Sequence, residues 1–186
     1  MKSLKGYIDI RKKPTTVVAE DTTIFNIVKD GITKFGKDAN LNYIDTSRCT
    51  NFDSLFYKCF FNNIEDVNPD VSDWNVSNVY NFSFCFCVSA FNGDLSKWDM
   101  SSAKNLNSMF NECKKFEGIG LEYWADSLSN AVNAAYMFRE TLINGKQLEK
   151  WKFSKNIQYV HNMFSKCKKL DCDLSNWDLS WIRKEQ

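Results

Sequence analysis

Histidine is nearly missing from this sequence: His161 is the only one in 186 residues. A single imidazole cannot provide a ligand pair of zinc-site spacing, so no metal and no other cofactor is expected. Proline, with 2 residues, and glycine, with 7, are scarce as well, which excludes long flexible linkers. There is no surplus of either charge: 24 basic residues face 23 acidic ones, for a net +1. A grip on nucleic acid needs a basic excess on one face, so nucleic acid is not the expected partner. No run of 18 apolar residues is present, so no helix is expected to span a membrane. The N-terminal stretch MKSLKGYIDIRKKP lacks the continuous apolar segment of a secretory signal. Cysteines number seven, an odd count. Without an export signal, the expectation is free thiols in a reducing compartment and a cytoplasmic protein, with the cell surface as the alternative. The motifs G-x-x-x-x-G-K-[S/T], G-x-G-x-x-G and G-x-S-x-G are all missing, and the protein is not expected to be an enzyme. The remaining catalytic reading is carboxylate–metal chemistry from the loop that carries Glu65 and Asp66.

What the chain does have is an internal repeat. Asp94 to Phe116 reads DLSKWDMSSAKNLNSMFNECKKF, and its apolar slots return along most of the sequence. The Trp slot is filled by Ile44, Trp74, Trp98, Trp124, Trp151 and Trp177, at spacings of 30, 24, 26, 27 and 26 residues. Three residues earlier stand Leu41, Val71, Leu95, Leu121, Leu148 and Leu174. A Phe column follows at Phe56, Phe86, Phe110, Phe138 and Phe164. Just before it come Leu55, Cys85, Met109, Met137 and Met163, and three residues after it Cys59, Ser89, Cys113, Thr141 and Cys167. Trp98-Asp99-Met100 alternates in the manner of a short strand, whereas Ala103, Leu106, Met109, Phe110 and Cys113 follow the spacing of one helical face. A unit of this kind cannot bury its apolar face alone and must stack on copies of itself. The fold expected is an α/β repeat: a right-handed leucine-rich-repeat-like solenoid with short parallel strands and one helix per repeat. Ser47, Ser77, Ser101, Ser154 and Ser180 are the expected helix N-caps. The column Asn51, Asn81, Asn105, Asn133 reads either as an inward amide ladder serving turn backbones or as exposed helix residues. Asp126 cannot take the apolar slot two residues after Trp124, and Leu128 is expected to fill it.

Residues 1–40 do not fit the repeat and are read as an N-terminal capping segment. Within it, Tyr7–Ile10 reads as a short strand. Thr22 or Thr23 caps a helix running to about Phe35, with Ile24, Ile27, Val28, Ile32 and Phe35 on one face and Gly36 placed to end it. The repeat region spans 41–186, about five units with a truncated last one, within a single structural domain.

On the residues Leu95, Trp98, Met100, Met109, Phe110, Cys113 and Phe116 the chain resembles the BspA-like leucine-rich repeat. DLSKWDMSSAKNLNSMF, with Trp74-Asn-Val-Ser-Asn-Val-Tyr-Asn-Phe as a second copy, is similar to the DLSxWDVSNVxNMxxMF repeat of bacterial and mycoplasma surface proteins. The resemblance covers about residues 41–181. It implies a solenoid and a role in adhesion or protein binding rather than catalysis.

In such an architecture, Trp and the residue two after it point inward, and the neighbours of Trp point out from the concave sheet. The candidate partner-binding residues are therefore Tyr43, Asp45, Asp73, Asn75, Lys97, Asp99, Tyr123, Lys150, Lys152, Asn176 and Asp178. Their mixed charge suits a protein partner. The expected function is a non-enzymatic protein–protein interaction module, such as a small intracellular inhibitor or adaptor encoded by a phage or parasite and acting on a host protein. A cell-surface adhesin-type domain is the alternative. Five Trp in the repeat slot are expected to be core. The cysteines of the repeat slot are expected to pack as small hydrophobes. The end strand near Trp177 could pair with a second copy.

Overall fold

The computed structural model describes residues 15–57, 66–180 and 182. Several sequence expectations lie outside them: the Tyr7–Ile10 strand, Cys59, and Glu65 of the loop read as a possible catalytic site. Strand β1, Val17–Val18, pairs in parallel with β2, Ile44–Asp45, in the register Val17 to Ile44 and Val18 to Asp45. Between them runs helix α1, Ile24–Phe35. Ile24, Val28 and Ile32 recur every four residues and are buried in the common core. Gly31 lies on the same face, where a Cβ would come within 2.7 Å of Leu41 and 2.8 Å of the Tyr43 hydroxyl. Gly36 ends the helix at φ 92°, and its N–H still donates to Ile32 O at 2.8 Å. Thr23 occupies the N-cap without a side-chain cap bond; its hydroxyl bonds Glu20 instead. Phe35 is half exposed and meets Tyr43 edge-on.

The expected leucine-rich-repeat-like solenoid, with short parallel strands and one helix per repeat, is not what the chain forms. Among the described residues there is one α helix and one two-stranded parallel sheet. The repeat units consist of turns joined by isolated parallel bridges, and Leu121–Trp124 and Lys146–Leu148 are short 3-10 helices. The physical reason is visible in the unit containing Phe110. Met109, Asn111, Cys113 and Phe116 each donate their N–H to the carbonyl three residues back, at 2.9–3.2 Å. The interleaved Leu106, Ser108, Phe110 and Glu112 donate instead to Asn133, Ala135, Met137 and Arg139 of the next unit, at 2.7–2.9 Å. No N–H in this stretch is left to build a ladder to the fourth preceding carbonyl. Ser108 and Glu112 hold positive φ, 54° and 57°, which ends any helix locally. The pairs Phe84/Val88, Tyr136/Glu140 and Asn162/Lys166 repeat that geometry. Consecutive three-residue turns thus place apolar residues three and four apart, as a helix would. We call this half of a unit its Phe arm, and the half around Trp its Trp arm.

Short polar side chains shape the corners. Asn51, Asn81, Asn105 and Asn133 accept the N–H two residues on, at 2.9–3.1 Å, and are themselves bridge positions between units. This is the amide-ladder arrangement. The expected N-cap serines instead donate their own N–H groups: Ser47 to Asp45, Ser77 to Asn75, Ser101 to Asp99 and Ser180 to Asp178.

Two ring columns fill the core. Phe56, Phe86, Phe110, Phe138 and Phe164 stack in order at centroid distances of 5.1, 5.5, 5.8 and 5.7 Å. Each Trp indole reaches back one unit: Trp74 to Leu41 O, Trp98 to Val71 O, Trp124 to Leu95 O, Trp151 to Leu121 O and Trp177 to Leu148 O, all at 2.8–3.1 Å. Leu128 is fully buried while Asp126 is exposed. Cys113 is buried and donates to Phe91 O.

At the N-terminal side, one carboxylate stands in for a missing unit. In later units the carbonyls of Tyr80 and Lys104 receive two consecutive N–H groups, Lys104/Asn105 and Val132/Asn133. In the first unit, Asp21 Oδ1 receives those of Thr50 and Asn51, at 2.7 and 3.0 Å, and Oδ2 takes the Thr50 hydroxyl. Partial burial works against ionisation of Asp21, but the Thr50 and Asn51 donors outweigh it and hold its pKa below 3.8. A depressed folded-state value means the stabilisation is present above the unfolded value and is lost as pH falls through the folded one. We expect Asp21→Ala to cost about 1–3 kcal/mol at pH 7. That cost should shrink below pH 3.8, which urea titrations at pH 7 and pH 3 will measure.

Candidate partner-binding groove

The expected outward residues fall into three groups. Asp45, Asn75, Asp99 and Asp178 face outward, yet each side-chain oxygen is engaged by the serine two residues on, so their first role is to hold a corner. Those donors hold the Asp45 carboxyl below its ordinary value, through the Ser47 N–H and then its hydroxyl. Asp178 is held down in the same way, through the Ser180 hydroxyl and then its N–H. Asp73 and Lys97 pair with each other across adjacent units. Both are largely exposed, and such a pair contributes little. Tyr43 is half-buried against α1, and Tyr123 stands alone at 69% exposure.

The third group does converge. Lys150, Lys152, Asn176 and Asp178 line one groove of about 650 Å³, together with Ala125, Asp126, Glu149 and Phe153. Three Trp arms build it, those of Trp124, Trp151 and Trp177. Trp124 stacks on Trp151 at 6.0 Å and Trp151 on Trp177 at 6.3 Å, which sets the spacing of the outward residues between them. Phe153 is fixed by an edge-on contact to Trp177 at 5.0 Å. The groove thus combines a mostly buried apolar side chain with two ammonium groups and three carboxylates. Glu149 is partly engaged with the Asp173 N–H, at 3.4 Å.

Residue-by-residue reading missed Asp126, Glu149 and Phe153. Asp126 had a signal: a charged residue in an apolar slot, with Leu128 taking over the burial, must itself be displaced outward. Phe153 had none, because its slot is an inward one.

Other chemistry is sparse among the described residues. No group of three or more His, Cys, Asp or Glu side chains stands together as a metal-holding set. Burial pushes the Cys85 thiol well above its ordinary value, and pushes Cys49 and Cys113 up to about 12, so none of these three is a ready thiolate. Asp66, from the loop read as a possible catalytic site, pairs with Lys115 at 3.3 Å. No described helix is long and apolar enough to cross a membrane.

Residues 22–151 and 90–186 match, in two overlapping passes, the family described as "Mycoplasma protein of unknown function, DUF285". No curated protein and no solved structure matches the chain.

Proposed function

The chain belongs to this Mycoplasma family, DUF285, and from that premise we propose that it is a non-enzymatic module that binds a protein partner. The observation that carries this reading is the groove over Phe153, where Lys150 and Lys152 face Asp126, Glu149 and Asp178. An apolar floor with mixed charges on its rim suits a peptide segment with a buried anchor and flanking charges. The balanced net charge of +1 favours a protein over nucleic acid. We read the module as an inhibitor or adaptor working inside a cell. The resemblance of the repeat to BspA-like surface proteins keeps an adhesin-type role as the second reading. Fractionation of cells that make the protein separates the two: recovery in the envelope alone overturns the intracellular reading.

The binding test is a charge reversal. Partners captured by the intact chain should bind K150E/K152E at least ~10-fold more weakly, since two rim charges opposed to the partner change sign. Reversal at Asp73, outside the groove, should leave affinity within about 2-fold, because a single exposed surface charge has a small effect. Unchanged affinity of K150E/K152E removes the groove from the binding surface.

A further inference from the structure

The groove over Phe153 is centred on a Trp arm whose charge is opposite to that of both its neighbours. Residues 146–155 hold four lysines, Lys146, Lys150, Lys152 and Lys155, against one acid, Glu149. The arm on one side, residues 117–131, holds Glu117, Glu122 and Asp126 and no base. The arm on the other side, residues 170–180, holds Asp171, Asp173 and Asp178 and no base. Trp124 and Trp177 flank Trp151 at 6.0 and 6.3 Å, so the basic arm lies inside the stack and not at its end. The plainest use of such a pattern is ion pairing between arms, as Lys97 pairs with Asp73 in the outward column that also holds Lys150. The basic arm is not used that way. All four of its lysines are exposed, and none has an ion-pair partner among the described residues.

The groups lining the groove differ in what they still lack. Glu149 receives the Asp173 N–H at 3.4 Å, and Asp178 receives the Ser180 N–H at 3.1 Å. Two of the three carboxylates thus already serve the chain, whereas both ammonium groups are free to meet an anion. Lys150 and Lys152 stand on either side of buried Trp151 and leave the chain on one outward face. Residues two apart in an extended chain are separated by roughly 6.6 Å and also share a face. An extended segment with acids at alternate positions therefore repeats the spacing of the two lysines with the opposite charge. An acid displaced to either side meets Asp126 or Asp178, so the segment must run along the Trp151 arm and not across the arms. A basic segment would set its charges against the two unpaired lysines. A nucleic-acid strand, charged at every residue, would spread phosphates onto the acidic arms. Ala125 is the small member of an outward column that otherwise holds Asp45, Asn75, Asp99, Lys152 and Asp178, and it leaves room in the groove for an apolar side chain on the same face of the segment.

We propose that the groove takes an extended acidic segment of a protein partner, lying along the Trp151 arm, with acids at two alternate positions on Lys150 and Lys152 and an apolar residue at the next alternate position in the space beside Ala125 and Phe153. This assignment rests on the reading of the groove as a protein-binding surface and adds the partner's chemistry and direction to it. The acidic arms on either side keep the segment in line by repulsion, so they set register while the lysines supply attraction.

The test titrates the full chain with the end-blocked peptide Thr-Glu-Thr-Glu-Thr-Leu-Thr and follows amide NMR shifts. At millimolar peptide the largest shifts should fall at Lys150, Lys152 and Phe153. The same peptide with Lys in place of both Glu should bind at least ~10-fold more weakly, since attraction becomes repulsion at two positions. Thr-Thr-Glu-Glu-Thr-Leu-Thr, whose two acids point to opposite faces, should bind about 3-fold more weakly, having lost one exposed pair. K150Q/K152Q should weaken the first peptide by roughly 3- to 10-fold, and K168Q/K169Q, outside the groove, should leave it within about 2-fold. Unchanged thermal midpoints will show that both variants keep the fold. Five results overturn the proposal: equal or tighter binding of the Lys peptide; unchanged binding to K150Q/K152Q; shifts of the acidic peptide centred on Lys166–Lys169; no binding at millimolar peptide; or tighter binding of a short oligothymidylate to the same face. If captured partners lose affinity for K150E/K152E while the acidic peptide gives any of those results, the groove stands as the binding surface and only its acidic occupant falls.

Discussion

Phe110→Ala is expected to destabilise the protein by roughly 3–5 kcal/mol, the range for removing a buried aromatic ring. Phe110 is fully buried and touches the column on both sides, with Phe86 at 5.5 Å and Phe138 at 5.8 Å. It also stacks on Phe116 at 3.9 Å within its own unit. Removing it opens a cavity between three rings that are held by backbone bonds to neighbouring units and cannot collapse inward. For a chain of this length the midpoint of thermal unfolding should fall by roughly 6–20 °C. Tyr123→Ala is the control: at 69% exposure it should change stability by less than about 0.5 kcal/mol. Urea unfolding of both variants decides the matter, and a loss below about 1 kcal/mol for Phe110→Ala would mean that the column is not a continuous packed core.

The weight placed on Phe110 comes from a feature that was legible in the sequence. Which residues are buried follows from which columns repeat, whatever backbone lies between them. The Trp, Leu and Phe columns are therefore core as read, and the exchange of Asp126 for Leu128 was readable one residue at a time. Local conformation was not readable the same way. Apolar residues three and four apart arise from a helix and equally from successive turns each closed by a bond to the third preceding carbonyl. What separates the two is the destination of the alternate N–H groups, and here they go to the next unit, a non-local fact. One local hint existed. An Asn five residues before the Phe slot disfavours a helix interior and favours a turn closed on its own side chain. Phe84 and Val88 at positive φ gave the opposite hint, since residues of their type seldom accept it. There, tertiary bonding to Asn107 and Asn111 overrides local preference.

The candidate site divides along the same line. Facing outward is a matter of alternation, so the neighbours of Trp are outward as read. Gathering into one groove depends on how successive Trp arms sit on each other, and only the stack of Trp124, Trp151 and Trp177 brings Lys150, Lys152, Asn176 and Asp178 together. The sequence alone places the Asp and Asn after the Trp slot among the candidate partner-binding residues. A Ser two residues later is the sign that they serve the turn first.

Gly120 tests how tightly adjacent units are seated. It holds φ 87°, and a Cβ there would overlap the backbone N of Ser96 and lie 2.8 Å from the carbonyl carbon of Leu95, both in the preceding unit. Gly36 holds nearly the same φ, 92°, with nothing within 4 Å of the added atom. The two positions share a positive φ but not a ψ: Gly120 is in the left-handed helical region at ψ −3°, whereas Gly36 lies at ψ 178°, a region essentially confined to glycine. Gly36→Ala should cost about 1–3 kcal/mol, the penalty of a glycine-only backbone region with a Cβ and no steric overlap. Gly120→Ala combines the about 1–2 kcal/mol penalty of a left-handed backbone with a Cβ and an overlap with backbone that cannot rotate away, worth roughly 1–3 kcal/mol more, for a total of about 2–5 kcal/mol. The displaced segment includes the turn in which Ser96 N–H donates to Asp94 at 2.8 Å and the cross-unit bond from Leu95 N–H to Ile119 O at 3.2 Å. Losing both would loosen the contact between the units of Trp98 and Trp124, whose indole donates to Leu95 O at 3.1 Å. Hydrogen exchange should then quicken at Leu95 and Ser96 in Gly120→Ala and stay unchanged there in Gly36→Ala. Unchanged exchange at Leu95 and Ser96 in Gly120→Ala would show that the units are not in backbone contact at this corner, and that the seating of one unit on the next rests on the Trp and Phe columns alone.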